Sequence, residues 1–238
     1  MKTWVVGDLH GCYDEYKEML ELLDYKSPNV RIILAGDQID RGPNSLGCIR
    51  LSRELNIECV LANHEQKYLK WLNNKNTSNN YVKKQPHYEQ FSSDDIEYIR
   101  RMPLYIKLPE FNTVIVHAGV KKHIPIEKQT VDDLCYTRFL DEHNRFLSMR
   151  KIYKAGSLEA AKGHFWTEHG PFGFNVIYGH MVFDEPRIDV FPNGEKCIGL
   201  DCGVVFGNKL CAYSPTTDEF VFVKAKQTYY RSTMANLL

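Results

Sequence analysis

A chain of 238 residues with 43% apolar content can bury one sizeable core without disulfides or partner chains, so a single domain over residues 1–238 is expected. Its 30 Lys and Arg balance 30 Asp and Glu, leaving no net field to draw it to nucleic acid or to an anionic membrane, and neither is an expected partner. Seven Cys without a C-x-x-C pair, and no signal peptide or long apolar span ahead of the first strand, favour reduced thiols in a cytoplasm over a disulfide framework.

The chain opens with three apolar, strand-like runs, Trp4 to Val6, Arg31 to Ala35 and Ile57 to Leu61. Between them Tyr16, Met19, Leu20 and Leu23, then Cys48, Leu51 and Leu55 behind Pro43, recur at helical spacing. Strand, helix, strand, helix, strand with right-handed crossovers builds a parallel sheet whose strand ends share one edge, where open α/β folds place their ligands. Asn73 to Asn80 reads as an exposed loop tip. Ser92 and Asp95 open a helix through Arg101, and Leu104 to Leu108 pairs with Thr113 to Val116 across Pro109. From Lys121 to Asn175 the pattern turns irregular, with Val131 to Leu147 as its best helix, and it reads as an insertion covering a cleft. Arg187 to Lys224 reads as an antiparallel meander forming a second sheet.

Six residues that metals favour, Asp8, His10, Asp37, Asn63, His117 and His180, each stand at or just past the end of a strand-like run. Any one of these histidines alone is more often structural than a ligand; together at matching strand ends they read as a two-metal hydrolase site. Carboxylate, amide and imidazole donors without thiolate suit Mn, Fe or Zn better than Ca, and Mn is the expected ion. Cys12 beside this region reads as a buried thiol.

The segments GDLHG (7–11), GDQIDRG (36–42) and ANHE (62–65), with Val116-His117-Ala118-Gly119 and Tyr178-Gly179-His180, resemble in order and spacing the signatures of the metallophosphoesterases of the phosphoprotein phosphatase superfamily. The resemblance runs from Trp4 to about Tyr213 and is nearest to short bacterial and phage-type phosphatases and symmetrical dinucleoside tetraphosphatases. It implies a metallo-dependent phosphatase fold, α/β, a four-layer αββα sandwich. It also implies that Asp37 bridges two divalent ions, with Asp8 and His10 completing one site and Asn63, His117 and His180 the other. Two such ions can activate a bridging water and neutralise charge on a phosphoryl group.

The resemblance further implies that His64 protonates the leaving oxygen while Asp40 orients its ring, and that Arg41 clamps phosphoryl oxygens through its paired donors. Arg138 in Leu134-Cys135-Tyr136-Thr137-Arg138 is the best match to the family's second clamping arginine, with Arg145 and Arg150 as its competitors. His164, Trp166 and His169 are left to packing and surface, and Asp201 to holding the sheet and the His180 loop. Ala62 stands where the family has Gly, an exchange costing on the order of 1 kcal/mol if the backbone there needs positive φ. The first expectation is a phosphomonoesterase resembling a Ser/Thr protein phosphatase, using metal-bound hydroxide directly, on a phosphorylated protein or a small phosphoester. A symmetrical dinucleoside tetraphosphatase is the close alternative, and a non-catalytic metal-binding interaction module the remote one. Oligomeric state is not legible.

Overall fold

The structure is a computed structural model in which residues 1–76 and 83–231 are described. The chain runs β1 (Lys2–Val6), α1 (Tyr13–Leu22), β2 (Val30–Leu34), α2 (Ser45–Glu54), β3 (Glu58–Cys59), α3 (Asn63–Asn74), α4 (Ser93–Arg100), β4 (Tyr105–Leu108) and β5 (Thr113–Val116). It continues through α5 (Val131–Tyr136), β6 (Phe139–Asp141), β7 (Phe146–Leu147), α6 (Met149–Ala155) and β8 (Gly163–Phe165). The last five strands are β9 (Asn175–Tyr178), β10 (Arg187–Val190), β11 (Lys196–Gly199), β12 (Lys209–Ser214) and β13 (Glu219–Lys224).

The period of two along each strand sorts the side chains into layers. In β1, Trp4 and Val6 face the core under α1 to α4, while Val5 faces the opposite way into the seam between two sheets. That seam takes Ile33 and Val60 from one sheet and Ile106, Ile115, Ile177 and Ile198 from the other, all nearly or fully buried. On the far side of the second sheet, Val114, Val116, Val176 and Tyr178 pack on Leu134, Phe139, Phe165 and Trp166. Each such side chain contributes about 1.5 to 3 kcal/mol on leaving water. The result is the four-layer α/β sandwich read from the sequence, with one difference: the fourth layer combines α5 with a three-stranded sheet, β7-β6-β8.

Three local expectations are corrected. The segment Val131 to Leu147 is helical only to Tyr136; an Asp141 carboxylate that accepts the His143 and Arg145 amides at 3.0 and 2.9 Å stabilises a turn instead, and β6 and β7 form a hairpin. The meander is split between sheets. β10 and β11 join the second sheet (β10-β11-β9-β5-β4), but β12 and β13 return to the first (β13-β12-β1-β2-β3), where Leu210 and Ala212 complete the helix-facing core. Pro43 precedes the first turn of α2 rather than lying in it, and Asn44 caps that helix by accepting the Gly47 amide at 2.8 Å. By contrast the Ser92–Asp95 capping box of α4 forms as read. Of the expected loop tip Asn73 to Asn80, residues 77–80 lie outside the described residues. Among the described residues no helix is long and apolar enough to cross a membrane. All seven cysteines, Cys12 included, are buried free thiols.

Candidate active site

β1, β2 and β3 run parallel, as do β5 and β9, and the chain leaves each at the same edge of the molecule. Asp8 and His10 follow β1, Asp37 follows β2, Asn63 and His64 open α3, and His117 and His180 follow β5 and β9. The loops are tied to one another: the Leu9 and His10 amides donate to the Asp37 carbonyl at 3.1 and 2.7 Å, and the Gly42 amide donates to the His10 carbonyl at 2.8 Å. Glu65, fully buried, accepts the Gln38 and Ile39 amides at 2.8 and 3.3 Å and so fastens the Asp37 loop to α3. Five residues singled out from the sequence hold the left-handed backbone that side chains disfavour: His10 (φ 46°), Asp37 (47°), Asp40 (71°), Arg41 (68°) and His180 (68°). Strain of this kind persists only where surrounding bonds enforce it, and here it turns the side chains inward.

Asp37 stands at the centre, and its two oxygens look in different directions. Oδ2 lies 3.4 Å from His10 Nε2, and Oδ1 lies 3.5 Å from His117 Nε2. Each ring gives its Nδ1 proton to a carbonyl, His10 to Ile39 at 3.0 Å and His117 to Ala35 at 2.9 Å, which leaves the Nε2 lone pair aimed at the carboxylate. Burial holds the pKa of His10, His117 and His180 below the ordinary imidazole value, so these rings are neutral. At His10 the Arg41 guanidinium already meets that lone pair; at His117 the lone pair faces negative oxygen, an arrangement that a proton or a cation relieves.

The Asn63 oxygen sharpens the point. It lies 2.8 Å from His117 Nε2, acceptor against acceptor, and 3.1 Å from His180 Nδ1, which carries its ring's proton because Nε2 accepts from Arg138. Turned over, the amide would donate to His117 Nε2 and to both Asp37 oxygens; with a cation among them, the oxygen orientation is the one that binds. Two groups, His10–Asp37–His64 and Asp37–His117–His180, each bring three donor atoms within 4.8 Å of one another and could hold a metal ion. The donor set fits a pair of divalent cations sharing Asp37. His64, which the sequence reading kept out of the ligand set, is thus within reach of the first position. Asp8 adjoins both groups without joining either: its two oxygens accept the His180 amide at 3.2 and 3.1 Å, and a Cβ on Gly179 would stand 2.0 Å from its Oδ1. Burial and the nearby Asp201 and Asp37 raise the Asp8 carboxyl well above its usual range. Burial likewise lifts Asp201 to about 6, and it braces the adjoining turn by accepting the Gly203 amide at 3.0 Å.

On one flank of Asp37, His64 Nδ1 is 2.7 Å from Asp40 Oδ2 and its Nε2 is turned toward Asp37 Oδ2 at 3.9 Å. Asp40 also meets Lys67 Nζ at 3.0 Å, the Tyr88 hydroxyl at 3.3 Å and His87 Nε2 at 3.1 Å. Burial would raise its pKa, but His64, His87 and Lys67 outweigh that and hold the carboxyl well below its usual range. Sequence reading missed Lys67, His87 and Tyr88. Lys67 had a signal, one helical turn beyond the opening of α3 on the side of His64; His87 had none beyond a lone aromatic pair, Tyr88 and Phe91, in a polar stretch. Arg41 donates to His10 Nε2 at 2.5 Å and lies 5.5 Å from the Phe206 ring.

On the other flank, Arg138 follows the end of α5, half-buried, and its Nε donates to His180 Nε2 at 2.9 Å. Arg145 points to solvent with Asp141, and Arg150 is exposed, so among the three arginines weighed from the sequence it is Arg138 that reaches the centre. A cavity of about 230 Å³ opens here, lined by Asn63, Tyr136, Arg138, Phe146, Met149 and His180 among others. Trp166 is fully buried and His164 pairs on the surface with Glu168, as read. Ala62 has φ of −118°, extended backbone open to any residue, so the expected cost of replacing Gly does not arise there. Its methyl abuts a neighbouring position that does need glycine, Gly36 at φ 103°, where a Cβ would meet it at 2.5 Å.

The calcineurin-like phosphoesterase family profile matches residues 1–207. The asymmetrical bis(5'-nucleosyl)-tetraphosphatase of Oceanobacillus iheyensis is 29% identical, over 96% of this chain and 94% of its own length. The symmetrical enzyme of Chromohalobacter salexigens is 28% identical over 92% of this chain and 97% of its own. Among solved structures, a crystal structure provisionally described as a diadenosine tetraphosphatase superposes with a TM-score of 0.78 over 94% of this chain and 93% of that one; at 23% identity it attests the fold. The chain belongs to the calcineurin-like phosphoesterase family and is a metal-dependent hydrolase of phosphoric esters.

Proposed function

We propose that the protein is a dinucleoside tetraphosphatase that cuts its substrate asymmetrically, into a nucleoside triphosphate and a nucleoside monophosphate. The observation that carries this reading is the near full-length similarity to two enzymes named for dinucleoside tetraphosphates, the higher-identity one asymmetrical. It reverses the order expected from the sequence, which put a Ser/Thr phosphatase-like activity first. The geometry supports an unequal cut. The candidate centre is flanked by cavities of about 820 Å³ on the His64 side and about 230 Å³ on the Arg138 side. The first lies within the range of about 300 to 1,000 Å³ usual for ligand pockets and the second falls below it.

In this reading Asp8, His10, Asp37, Asn63, His117 and His180 hold two divalent ions, Mn on the strength of their mixed oxygen and nitrogen donors. When bound, the pair supplies an activated water and neutralises charge developing on the phosphoryl oxygens. Arg41 and Arg138 approach from opposite flanks and grip the non-bridging oxygens through paired N–H donors. His64 delivers a proton from Nε2 to the departing oxygen, with Asp40 holding Nδ1–H and so fixing the tautomer. Chromatography of the products from diadenosine tetraphosphate with added Mn tests the proposal: ATP and AMP in equal amounts support it. Two ADP per substrate would make the cut symmetrical, and no turnover alongside rapid hydrolysis of phosphopeptides would restore the protein-phosphatase reading.

A further inference from the structure

One side of the large cavity is lined from the tail of the chain after Lys226, which carries no functional signal in sequence. After β13 the chain doubles back beneath the site: the Lys226 amide and the Tyr229 hydroxyl both donate to Oε1 of the fully buried Glu15 at 2.8 Å, and the Tyr229 and Tyr230 amides donate to the Val205 carbonyl at 3.0 and 2.9 Å. This strap delivers Tyr230 to the cavity mouth. Its ring stands 6.0 Å from the Arg41 guanidinium and 6.1 Å from the Phe206 ring, and 44% of the residue remains exposed. Lys67, His87 and the segment from Gly42 to Leu46 leading into α2 line the same cavity. Arg41 and Lys67 line this space against a single carboxylate, Asp40, which is already shared among His64, His87 and Lys67, while Arg50 at its edge is held by Asp95 at 3.3 Å. An excess of cations beside a half-open aromatic face suits a ligand that is anionic at one end and planar at the other.

We propose that this cavity is the subsite for the departing nucleotide, with Lys67 and Arg41 meeting its phosphates and Tyr230 stacking on its base. The inference rests on the dinucleotide reading and adds to it the place and the residues that hold the leaving group. His64 fixes the side: it lines the same cavity, and a general acid must face the oxygen that departs.

Calorimetric titration of ATP and of inorganic phosphate into the manganese-loaded protein tests this. Phosphate needs only the centre and its arginines; ATP also fills the cavity. The wild type should bind ATP more tightly than phosphate. Tyr230→Ala and Lys67→Gln should each cut that preference at least five-fold, since stacking on an aromatic ring is worth about 1 to 3 kcal/mol per base, while Tyr230→Phe should keep it. Equal affinity of the wild type for the two ligands, or a preference unchanged in both Tyr230→Ala and Lys67→Gln, overturns the proposal. No dinucleotide turnover enters this measurement, so failure of the dinucleotide reading shows separately, as missing ATP and AMP in the product analysis.

Discussion

The two flanks of Asp37 are built differently. On the His64 side the groups nearest Asp37, namely His10, Asp40, Arg41 and His64, come from short stretches following parallel strands or from the first turn of α3, and backbone bonds lock one loop to the next. On the Arg138 side the guanidinium arrives from a segment of short helix and small sheet, and it meets the centre through one side-chain bond to His180. The first flank is specified by local chain geometry, the second by how a distant segment packs.

That contrast orders the effects of mutation. Asp37 serves both flanks, so Asp37→Asn should be the most damaging single change, exceeding the roughly 10² to 10⁴ typical of lost proton-transfer catalysis; steady-state kinetics with metal analysis checks it. Next, His64→Asn should lose on the order of 10² to 10⁴ in rate on a phosphoserine peptide, whose alkoxide leaves poorly, and distinctly less on p-nitrophenyl phosphate. A nucleoside triphosphate is also a good leaving group, so the loss on diadenosine tetraphosphate should resemble that on the nitrophenyl ester. Asp40→Asn should give a milder version of the same pattern. Equal losses on all substrates together with missing metal would make His64 a ligand, the role its closeness to His10 and Asp37 permits.

Arg138→Ala tests the other flank. It should lower kcat/KM by roughly ten- to a thousand-fold with metal content retained, as for other removed electrostatic donors. Unchanged kinetics would separate Arg138 from the phosphoryl group. The smallest effect should come from Ala62→Gly, because the extended backbone at this position gains nothing from glycine; thermal unfolding should shift by less than about 1 kcal/mol equivalent, downward.

The same contrast explains what the sequence disclosed. Asp8, His10, Asp37, Asn63, His117 and His180 were legible because each follows an apolar run whose end is fixed by sheet geometry. Arg138 was found only by resemblance, and its segment was misread: Val131 to Leu147 carries helical spacing, yet the Asp141 turn and the partners Phe165 and Leu147 recruit its second half into strands. β12 and β13 look like a continuation of the meander, since alternation reveals a strand but not which of two sheets it will join. His87 and Tyr230 reach the site through tertiary packing of polar segments, for which no periodicity exists to read.

The central claim is that Asp37 divides its oxygens between two metal positions, one facing His10 and one facing His117. Metal content per chain, measured by mass spectrometry after manganese loading and gel filtration, tests it most directly. The account predicts two ions in the wild type and one each in His10→Asn and His117→Asn, with Asp37→Asn retaining less than either. A fully active wild type holding one ion, or both histidine variants still holding two, would contradict it.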